Sequence, residues 1–299
     1  MTLAEPPGIT VIIPTRAAPE RRDSLRRALQ SVLCQQDVRA RAIVVLNGAP
    51  DEPGLAAELA GDDRVLLITR NEAGLPAALH EGLQHVETSY FTSLDDDDLL
   101  LPGALKLRHA ALERHPDRLV AVTNGYRREA GGDVLHVAQG SDIQSDPLRA
   151  LLDRNWMLPG SWLCRTTPRT ATLFTDMPKY LECTYLGVRF SVLGMVWIET
   201  PTVVYTTGTP FSASKSREYQ EGQAEALRQI SALDLPAFAR RELRRRIAAA
   251  LHRSANVALR AGSVRDAWRW HLATLREPAG WRYLPFIRHV IRAAISERA

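Results

Sequence analysis

The sequence has few cysteines, few lysines, few aromatic residues and no long apolar run. Its three cysteines, Cys34, Cys164 and Cys183, are far apart and form no C-x-x-C pair, which excludes a disulfide framework and offers no zinc-binding spacing. No apolar stretch approaches the ~18–20 residues that cross a bilayer, and Met1–Gly8 lacks the segments of a signal peptide. We therefore expect a reduced, cytoplasmic chain whose membrane contact is limited to peripheral association with the inner face of the cell membrane.

The remaining composition is that of a globular protein, but its charge is unevenly distributed. Of the 38 basic residues only three are lysines, and the net charge is +4. From Arg240 to Ala299 there are fourteen arginines against four acidic residues, an excess of ten, which leaves −6 for the first 239 residues. The sequence therefore indicates an acidic body followed by a basic tail.

Short apolar runs alternate with helical patterns in the first half of the chain, which predicts βαβ units and a parallel sheet. Later apolar runs, Val192–Ile198 and Val203–Tyr205, are interpreted as strands, Thr206–Ser216 as a mobile loop, and the remainder as helical. The strands predicted in the first half are Ile9–Pro14, Ala42–Leu46, Arg64–Thr69, Tyr90–Leu94 and Leu119–Thr123.

Four successive aspartates, Asp95–Asp98, follow the fourth predicted strand directly. Because adjacent carboxylates repel one another, a folded chain tolerates them best when a cation neutralises them or water solvates them. The crevice beyond the carboxyl ends of strands is where α/β sheets bind ligands, and hard carboxylate oxygens suit Mg²⁺ or Mn²⁺, which in turn prefer phosphate oxygens. The alternative is a solvated acidic turn.

The motifs along the chain, taken in order, resemble those of family 2 glycosyltransferases over about residues 9–216. This resemblance implies a GT-A fold, an α/β architecture with a Rossmann-like, mixed, mainly parallel sheet flanked by helices, in a catalytic domain at 1–216 followed by a basic helical C-terminal region at 217–299. The motifs that carry it are Val11–Thr15, Leu29–Gln35, Ile43–Gly48, Asn71–Gly74, and Ser93–Asp98 followed by Pro102.

The resemblance also implies a metal-dependent site for a UDP-, GDP- or dTDP-linked sugar. Asp97 and Asp95 are the expected ligands of Mn²⁺ or Mg²⁺, with Asp98 supporting them. Asn47 stands where the family usually has an aspartate, and its alternative role is that of a turn residue before Gly48. The residues expected to contact the nucleotide sugar are Pro14, Thr15, Asn47, Asn71, Asp95, Asp96, Lys215 and Arg217.

The acceptor side departs from the family, because the usual Glu-Asp pair reads Glu182-Cys183. A thiol is a poor substitute for a carboxylate, so we expect Glu182 to act as the general base, with Asp176 behind it. The alternative makes Glu182 a residue favoured by a helix N-terminus and Cys183 a core residue.

Three further residues, Trp156, Ser161 and Trp162, fall where family members shape the sugar and acceptor pocket. A tryptophan there can stack on a sugar face, and the alternative is a place in the aromatic core.

Lys215 and Arg217 are expected to reach the diphosphate when the loop that carries Lys215 closes, and the alternative is solvated charge. Aromatic residues interleaved with arginines in the C-terminal region suit an anionic bilayer, where a lipid-linked acceptor is found; the alternative is a helical domain that packs its aromatics inside. The sequence contains no recognisable nucleic-acid module, so no nucleic-acid partner is expected.

The function implied is an inverting glycosyltransferase of the hexosyltransferase type that transfers a sugar to a glycan or lipid-linked acceptor in surface polysaccharide synthesis. The alternative is a catalytically degenerate protein that binds nucleotide sugars or acts as a scaffold. It is suggested by Cys183 and by the absence, at Tyr205–Gly208, of the histidine that can supplement metal binding in many relatives.

Overall fold

The computed structural model describes residues 7–48, 53–59, 61–208 and 216–296. The chain divides into two compact units. The first comprises Met1–Met177 and Glu182–Thr209, and the second comprises Pro178–Leu181 and Pro210–Ala299.

A mixed sheet forms the centre of the first unit. Its strands are β1 (Gly8–Thr15), β2 (Arg39–Asn47), β3 (Val65–Arg70), β4 (Tyr90–Ser93), β5 (Leu99–Leu100), β6 (Val120–Glu129), β7 (Gly132–Leu135), β8 (Trp162–Arg165) and β9 (Met195–Thr206). The strand order is β3-β2-β1-β4-β8-β6-β9-β5, with β7 paired to β6. The longer ladders, β1–β2, β2–β3 and β6–β9, are parallel, whereas the antiparallel pairings are short.

Helices flank this sheet, and the predicted α/β class with a mainly parallel sheet is confirmed. The apolar runs that predicted β1 and β2 are buried on both faces, whereas β3, at the end of the sheet, is partly exposed. The helices of the first unit are α1 (Arg22–Leu33), α2 (Pro53–Leu59), α3 (Leu75–Gln84), α4 (Ala104–Arg114), α5 (Ser141–Ser145), α6 (Pro147–Asp153) and α7 (Glu182–Leu193).

The prediction of two separate strands after residue 192 is wrong. Val192 and Leu193 end helix α7, and β9 then runs without a break from Met195 to Thr206. Pro201 interrupts the apolar pattern of this strand, and the β6–β9 register shifts near it, between Thr123 and Asn124. A bulge therefore admits the proline into a strand that the sequence pattern had divided.

Strands β1 and β4 separate at the edge of the sheet where the aspartates follow. Their register ends at Ile12 and Ser93, and the last bond runs from the Leu94 amide to the Ile12 carbonyl. Pro14 lies beyond this point and pairs with β2 alone, so its missing N–H costs no bond to β4. The chain after β4 is thereby free to turn away beside Thr15.

A buried arginine connects α4 to β8 and β9. Arg108 is completely buried, and it donates to the Thr202 hydroxyl from Nε at 3.0 Å and Nη2 at 2.6 Å, and to the Trp162 carbonyl from Nη1 at 3.0 Å. No carboxylate forms an ion pair with it within the described ranges. Burial lowers the pKa of Arg108 to about 9. Neutral oxygens alone therefore hold this guanidinium in place.

The second unit is helical and has its own small core. The last helix buries Val290 against Ala258, Val264 and Ala267, and Trp268, Trp270 and Phe286 pack around them. Helix α9 is the longest, yet none of the described helices is both long and apolar enough to cross a membrane. The helical elements are α8 (Arg217–Ser231), α9 (Ala237–Arg260), α10 (Val264–Arg276), a 3-10 segment (Gly280–Phe286) and α11 (Ile287–Ser296).

We predict that the size of the side chain at position 108 matters more than its charge. Arg108→Ala leaves a cavity and should lower the free energy of unfolding by about 3 kcal/mol. Arg108→Met fills the space, and both acceptors keep a hydroxyl partner, because Thr92 donates to the Trp162 carbonyl and Thr123 pairs with Thr202. Its cost should be about 1 kcal/mol, since a buried charge is removed as well. Urea unfolding of the two variants measures the difference, and equal losses would contradict the prediction.

Candidate active site

Three of the four aspartates converge at the edge of the sheet beyond β4. Asp95, Asp97 and Asp98 each offer one carboxylate oxygen, and these oxygens lie within 4.8 Å of one another. Asp98 is fully buried, whereas Asp95 and Asp97 are partly exposed. The fourth carboxylate, Asp96, is directed elsewhere.

Both oxygens of Asp96 are bound by residues that follow β1. Its Oδ2 accepts from the Thr15 hydroxyl at 2.6 Å, and its Oδ1 accepts from Nη1 of Arg21 at 2.9 Å. The Thr15 oxygen in turn accepts from the Ala17 amide at 3.0 Å. Thr15 and Asp96, both predicted to contact the nucleotide sugar, are thus brought together in a hydrogen-bonded support for the cluster.

Arg21 supplies the positive charge beside the cluster, and the sequence analysis missed it. The same Nη1 lies 2.7 Å from Oδ2 of Asp97. Burial alone lowers the pKa of Arg21, yet the carboxylates of Asp96 and Asp97 outweigh burial and raise it. The available signal was an arginine-rich loop directly after a strand whose end faces the same edge as the aspartates.

The end of β9 holds the other side of the cluster. The Thr206 amide donates to Oδ1 of Asp98 at 2.8 Å, and the Thr206 hydroxyl donates to the Asp97 carbonyl at 2.7 Å. The remaining oxygen of Asp98, Oδ2, is buried and has no hydrogen-bond partner in the part of the chain that the structure describes. Such an atom is costly unless a cation or a proton satisfies it.

Crowding and burial together shift the pKa values of these carboxyls upwards. Burial, together with the charges of Asp97 and Asp96, raises the pKa of Asp95 to about 7. Burial and the charge of Asp95 likewise raise the pKa of Asp98 well above its usual value. A divalent cation reverses this, because it stabilises the ionised form of each carboxyl. The close oxygens and the unpartnered Oδ2 atom therefore fit Mg²⁺ or Mn²⁺.

Glu182 begins helix α7 next to this cluster. Burial raises the pKa of Glu182 to about 7, and its charge is one of those that raise the pKa of Asp95. Leu181, directly before it, has a φ of 64°, a left-handed conformation that is rare for a bulky side chain. A strained turn therefore fixes the point at which the helix and its carboxylate begin.

Cys183 and Tyr205 border the same space. Burial raises the pKa of the Cys183 thiol well above its usual value, and the charges of Asp95 and Glu182 raise it further. Burial also raises the pKa of Tyr205 to about 12, with contributions from Cys183 and Asp98. Both groups therefore stay protonated near neutral pH, and Glu182 is the group among these three that can accept a proton there.

Asp176 lies in an exposed turn before α7. Its charge contributes, after burial, to the raised pKa of Tyr185. Its predicted place behind Glu182 stays a prediction.

Three other residues predicted to contact the nucleotide differ in their burial and hydrogen bonding. Pro14 is buried in β1, and Asn71 is exposed in the loop before α3. The side-chain oxygen of Asn47 accepts from the Gly74 amide at 2.6 Å, which ties the end of β2 to that loop. The structure thus gives Asn47 a hydrogen bond to a distant loop, and its contact with the nucleotide stays a prediction.

Trp156, Ser161 and Trp162 are core residues in this structure, which does not support their predicted place in a sugar pocket. Trp156 is 1% exposed, and Ser161 and Trp162 are completely buried. The Trp162 ring packs against aromatic neighbours, including Phe91 at 5.7 Å between centroids and Phe190 at 5.3 Å. The Trp156 ring packs against Trp197, 6.0 Å away between centroids, so neither buried indole presents a face on which a sugar can stack.

Of the two cations predicted to reach the diphosphate, Arg217 is among the described residues. Arg217 begins α8 in the second unit, is exposed, and pairs with Glu221 at 2.7 Å and Asp266 at 3.7 Å. Lys215 lies outside the described residues.

Comparisons with known proteins agree on one family. The family described as "Glycosyl transferase family 2" matches residues 10–164, which is more than half of the chain. A glycosyltransferase GlyA of Streptococcus pneumoniae is 35% identical over 92 residues, which are 30% of this chain and 13% of that protein. An uncharacterised glycosyltransferase of Rickettsia bellii is 25% identical over 149 residues, 49% of this chain and 21% of that protein. The chain therefore spans about a fifth or less of the length of these two relatives.

The fold matches solved structures as well. The structure of S. aureus TarS 1-349 in complex with UDP-GlcNAc superposes with a TM-score of 0.61 at 15% identity, covering 83% of this chain and 73% of that one. The complex of the same protein with UDP gives a TM-score of 0.57, again at 15% identity, over 83% of this chain and 72% of that one. At this identity the likeness shows the GT-A fold alone. With the motif order and the family match over residues 10–164, it follows that the chain belongs to glycosyl transferase family 2.

Proposed function

We propose that this chain is an inverting glycosyltransferase whose catalytic region is 1–216 and which transfers a sugar from a nucleotide-diphospho sugar to an acceptor hydroxyl. The observation that carries the proposal is the cluster of Asp95, Asp97 and Asp98 with a proton acceptor, Glu182, beside it. A metal–diphosphate site and a base are the two elements that this transfer needs. UDP and UDP-GlcNAc are the ligands in the TarS structures, which supports a nucleotide-linked donor.

Asp95, Asp97 and Asp98 are the residues that would hold Mn²⁺ or Mg²⁺. The ion supplies charge stabilisation for the departing diphosphate. The chain's own contribution is to hold these carboxylates close together against their repulsion, through Thr206 on one side and Arg21 on the other. Arg21, 21% exposed, is also positioned to turn towards a phosphate group once Asp97 is neutralised.

Glu182 acts as the general base in this proposal. It takes the proton of the acceptor hydroxyl, the oxygen attacks the anomeric carbon on the face opposite the diphosphate, and the nucleoside diphosphate leaves, which inverts the configuration. A base with a pKa near 7 is ionised and still basic at neutral pH. Cys183 cannot replace it, because its buried thiol stays protonated.

The acceptor is proposed to be a glycan or a lipid-linked sugar in surface polysaccharide synthesis, as the family resemblance implies. The rival proposal is a degenerate protein that binds nucleotide sugars without turnover. Cys183 motivated this rival, because it replaces the family's usual aspartate. Glu182, whose pKa is raised, argues against the rival, since it offers a proton acceptor in place of that aspartate.

The first prediction concerns turnover. Release of nucleoside diphosphate from one of the UDP-, GDP- or dTDP-linked sugars should require Mn²⁺ or Mg²⁺, cease with EDTA, and fall about hundredfold or more in Asp97→Asn, because a ligand and its charge are lost. Asp23→Asn, at a side chain 82% exposed, is the matched control and should retain full activity. Donor binding without release for any acceptor tested would establish the degenerate alternative instead.

A second prediction separates Glu182 from its neighbour. Glu182→Gln should lower kcat by roughly 10²–10⁴-fold, whereas Cys183→Ser should change it less than about tenfold. In the wild type, kcat/KM should rise with pH up to about 7, since Glu182 is protonated and inactive below its pKa. With Mn²⁺ or Mg²⁺ bound, Asp95 is held in its ionised form, so it does not contribute to this rise. The result that speaks against Glu182 is an unchanged pH profile in Glu182→Gln with kcat preserved.

A third prediction concerns Arg21 and the metal. In the absence of donor, Arg21→Gln should bind Mn²⁺ about tenfold more tightly than the wild type, because a positive charge 2.7 Å from Asp97 no longer competes. Titration calorimetry measures this without any turnover. Arg27→Gln, at an exposed arginine on α1, the helix that follows Arg21, should leave the affinity unchanged. Weaker Mn²⁺ binding in Arg21→Gln would show that Arg21 organises the ligands and does not compete with the ion.

A further inference from the structure

The last two elements of the second unit expose large apolar side chains. Trp281 is 68% exposed, Leu284 52%, Ile291 44% and Ile295 64%, and we call these four residues the apolar stripe. Ile291 and Ile295 are four residues apart and so share one side of α11. The opposite side carries Val290, which is fully buried in the core of the unit. Helix α11 therefore has two apolar sides, and only one of them is covered by the described part of the unit.

The surroundings of the stripe are positively charged. Between residues 278 and 296 the sequence has three arginines, Arg282, Arg288 and Arg292, and no Asp or Glu. All three are exposed, and the Arg282 guanidinium lies over the Trp281 ring, 5.7 Å from its centroid. Within the described ranges none of the three forms an ion pair. An exposed apolar side flanked by unpaired arginines is the pattern of a helix that lies in an anionic bilayer interface.

An open cavity of about 300 Å³ adjoins the stripe through Arg282 and Tyr283. We call it the arginine cavity; its lining residues are Glu242, Arg245, Arg246, Ala249, Ala279, Arg282 and Tyr283. Glu242 lies 3.4 Å from Arg245 and 3.5 Å from Arg246, so one carboxylate faces three guanidinium groups. The cavity thus keeps an excess of two positive charges, which suits a phosphate group.

We propose that this face docks on an anionic bilayer, with the apolar stripe in the interface and a lipid headgroup phosphate in the arginine cavity. Charge decides between this surface and a second copy of the chain. Two such faces brought together would oppose like charges, because residues 278–296 include three arginines and no acidic residue. An anionic membrane complements both this charge and the apolar side chains. The purpose of docking rests on the proposed function, since a lipid-linked acceptor is presented at such a surface.

The test is sedimentation of the full chain with vesicles. Vesicles of equal parts phosphatidylglycerol and phosphatidylcholine should bind the protein at least about tenfold more tightly than phosphatidylcholine alone, and added salt should weaken the binding. Arg245→Gln combined with Arg282→Gln should weaken it by about fivefold for each arginine. Ile291→Ser combined with Ile295→Ser should weaken it by about tenfold or more.

Matched controls keep these comparisons specific. Leu66→Ser, at a side chain 45% exposed on β3, and Arg114→Gln, at an exposed arginine on α4, should bind vesicles like the wild type. Circular dichroism of each variant verifies that the helices are intact. Donor binding, measured separately by calorimetry, should be unchanged in all of them.

Three outcomes would overturn the proposal. Equal binding to both kinds of vesicle would show that the headgroup charge does not contribute to docking. Loss of vesicle binding on addition of millimolar inorganic phosphate at constant ionic strength identifies a soluble phosphate ligand. Absence of vesicle binding together with a dimer in analytical ultracentrifugation, abolished by the two isoleucine substitutions, identifies a second copy. Donor binding without vesicle binding refutes this inference alone, and vesicle binding without donor binding refutes the proposed function alone.

Discussion

Four successive carboxylates at one edge of the sheet repel one another, and the structure around them is arranged to hold them in place. Asp96 is bound by Thr15 and Arg21, so it lies apart from the other three. Asp98 is bound on one oxygen by the Thr206 amide, and its second oxygen is buried with no partner among the described residues. Burial, together with the residual repulsion, raises the pKa values of Asp95 and Asp98, and this is the condition in which a divalent cation gains most from binding.

Strand β9 connects the aspartate cluster to the rest of the first unit. Thr206 contacts the aspartates, and Thr202, four residues earlier in the same strand, is bound by the buried Arg108 of α4. Because α4 begins shortly after the aspartates, the chain forms a closed loop from the cluster through Arg108 and β9 back to the cluster. Two arginines thus stabilise one site in different ways: Arg21 with carboxylates at the partly exposed edge, and Arg108 with neutral oxygens in the core.

Local patterns predicted the sheet and the aspartate cluster, whereas contacts between distant segments determined the rest of the site. The apolar runs of the first strands are short-range signals, and so is the position of Asp95–Asp98 after β4. Arg21 was missed because its partners lie 75 and more residues away in the chain. Trp162 was assigned to a pocket because sequence position alone does not distinguish a residue facing the core from one facing a crevice. The single strand β9 was divided at Pro201, because a bulge that accommodates a proline depends on the partner strand.

The contacts in the structure show which of the charges in the acidic body and the basic tail are paired with residues of their own unit. The acidic cluster has a positive partner, Arg21, within the first unit, and a divalent cation would supply the rest of its neutralisation. Several tail arginines are bound by acids of the tail itself, as Arg245 is by Glu242 and Arg269 by Asp266. The arginines of residues 278–296 have no acidic residue within their own segment. Because these arginines are not paired with acids of their own segment, their positive charge is available to a partner. Binding to an anionic surface is therefore the best explanation for the positive surplus of the tail.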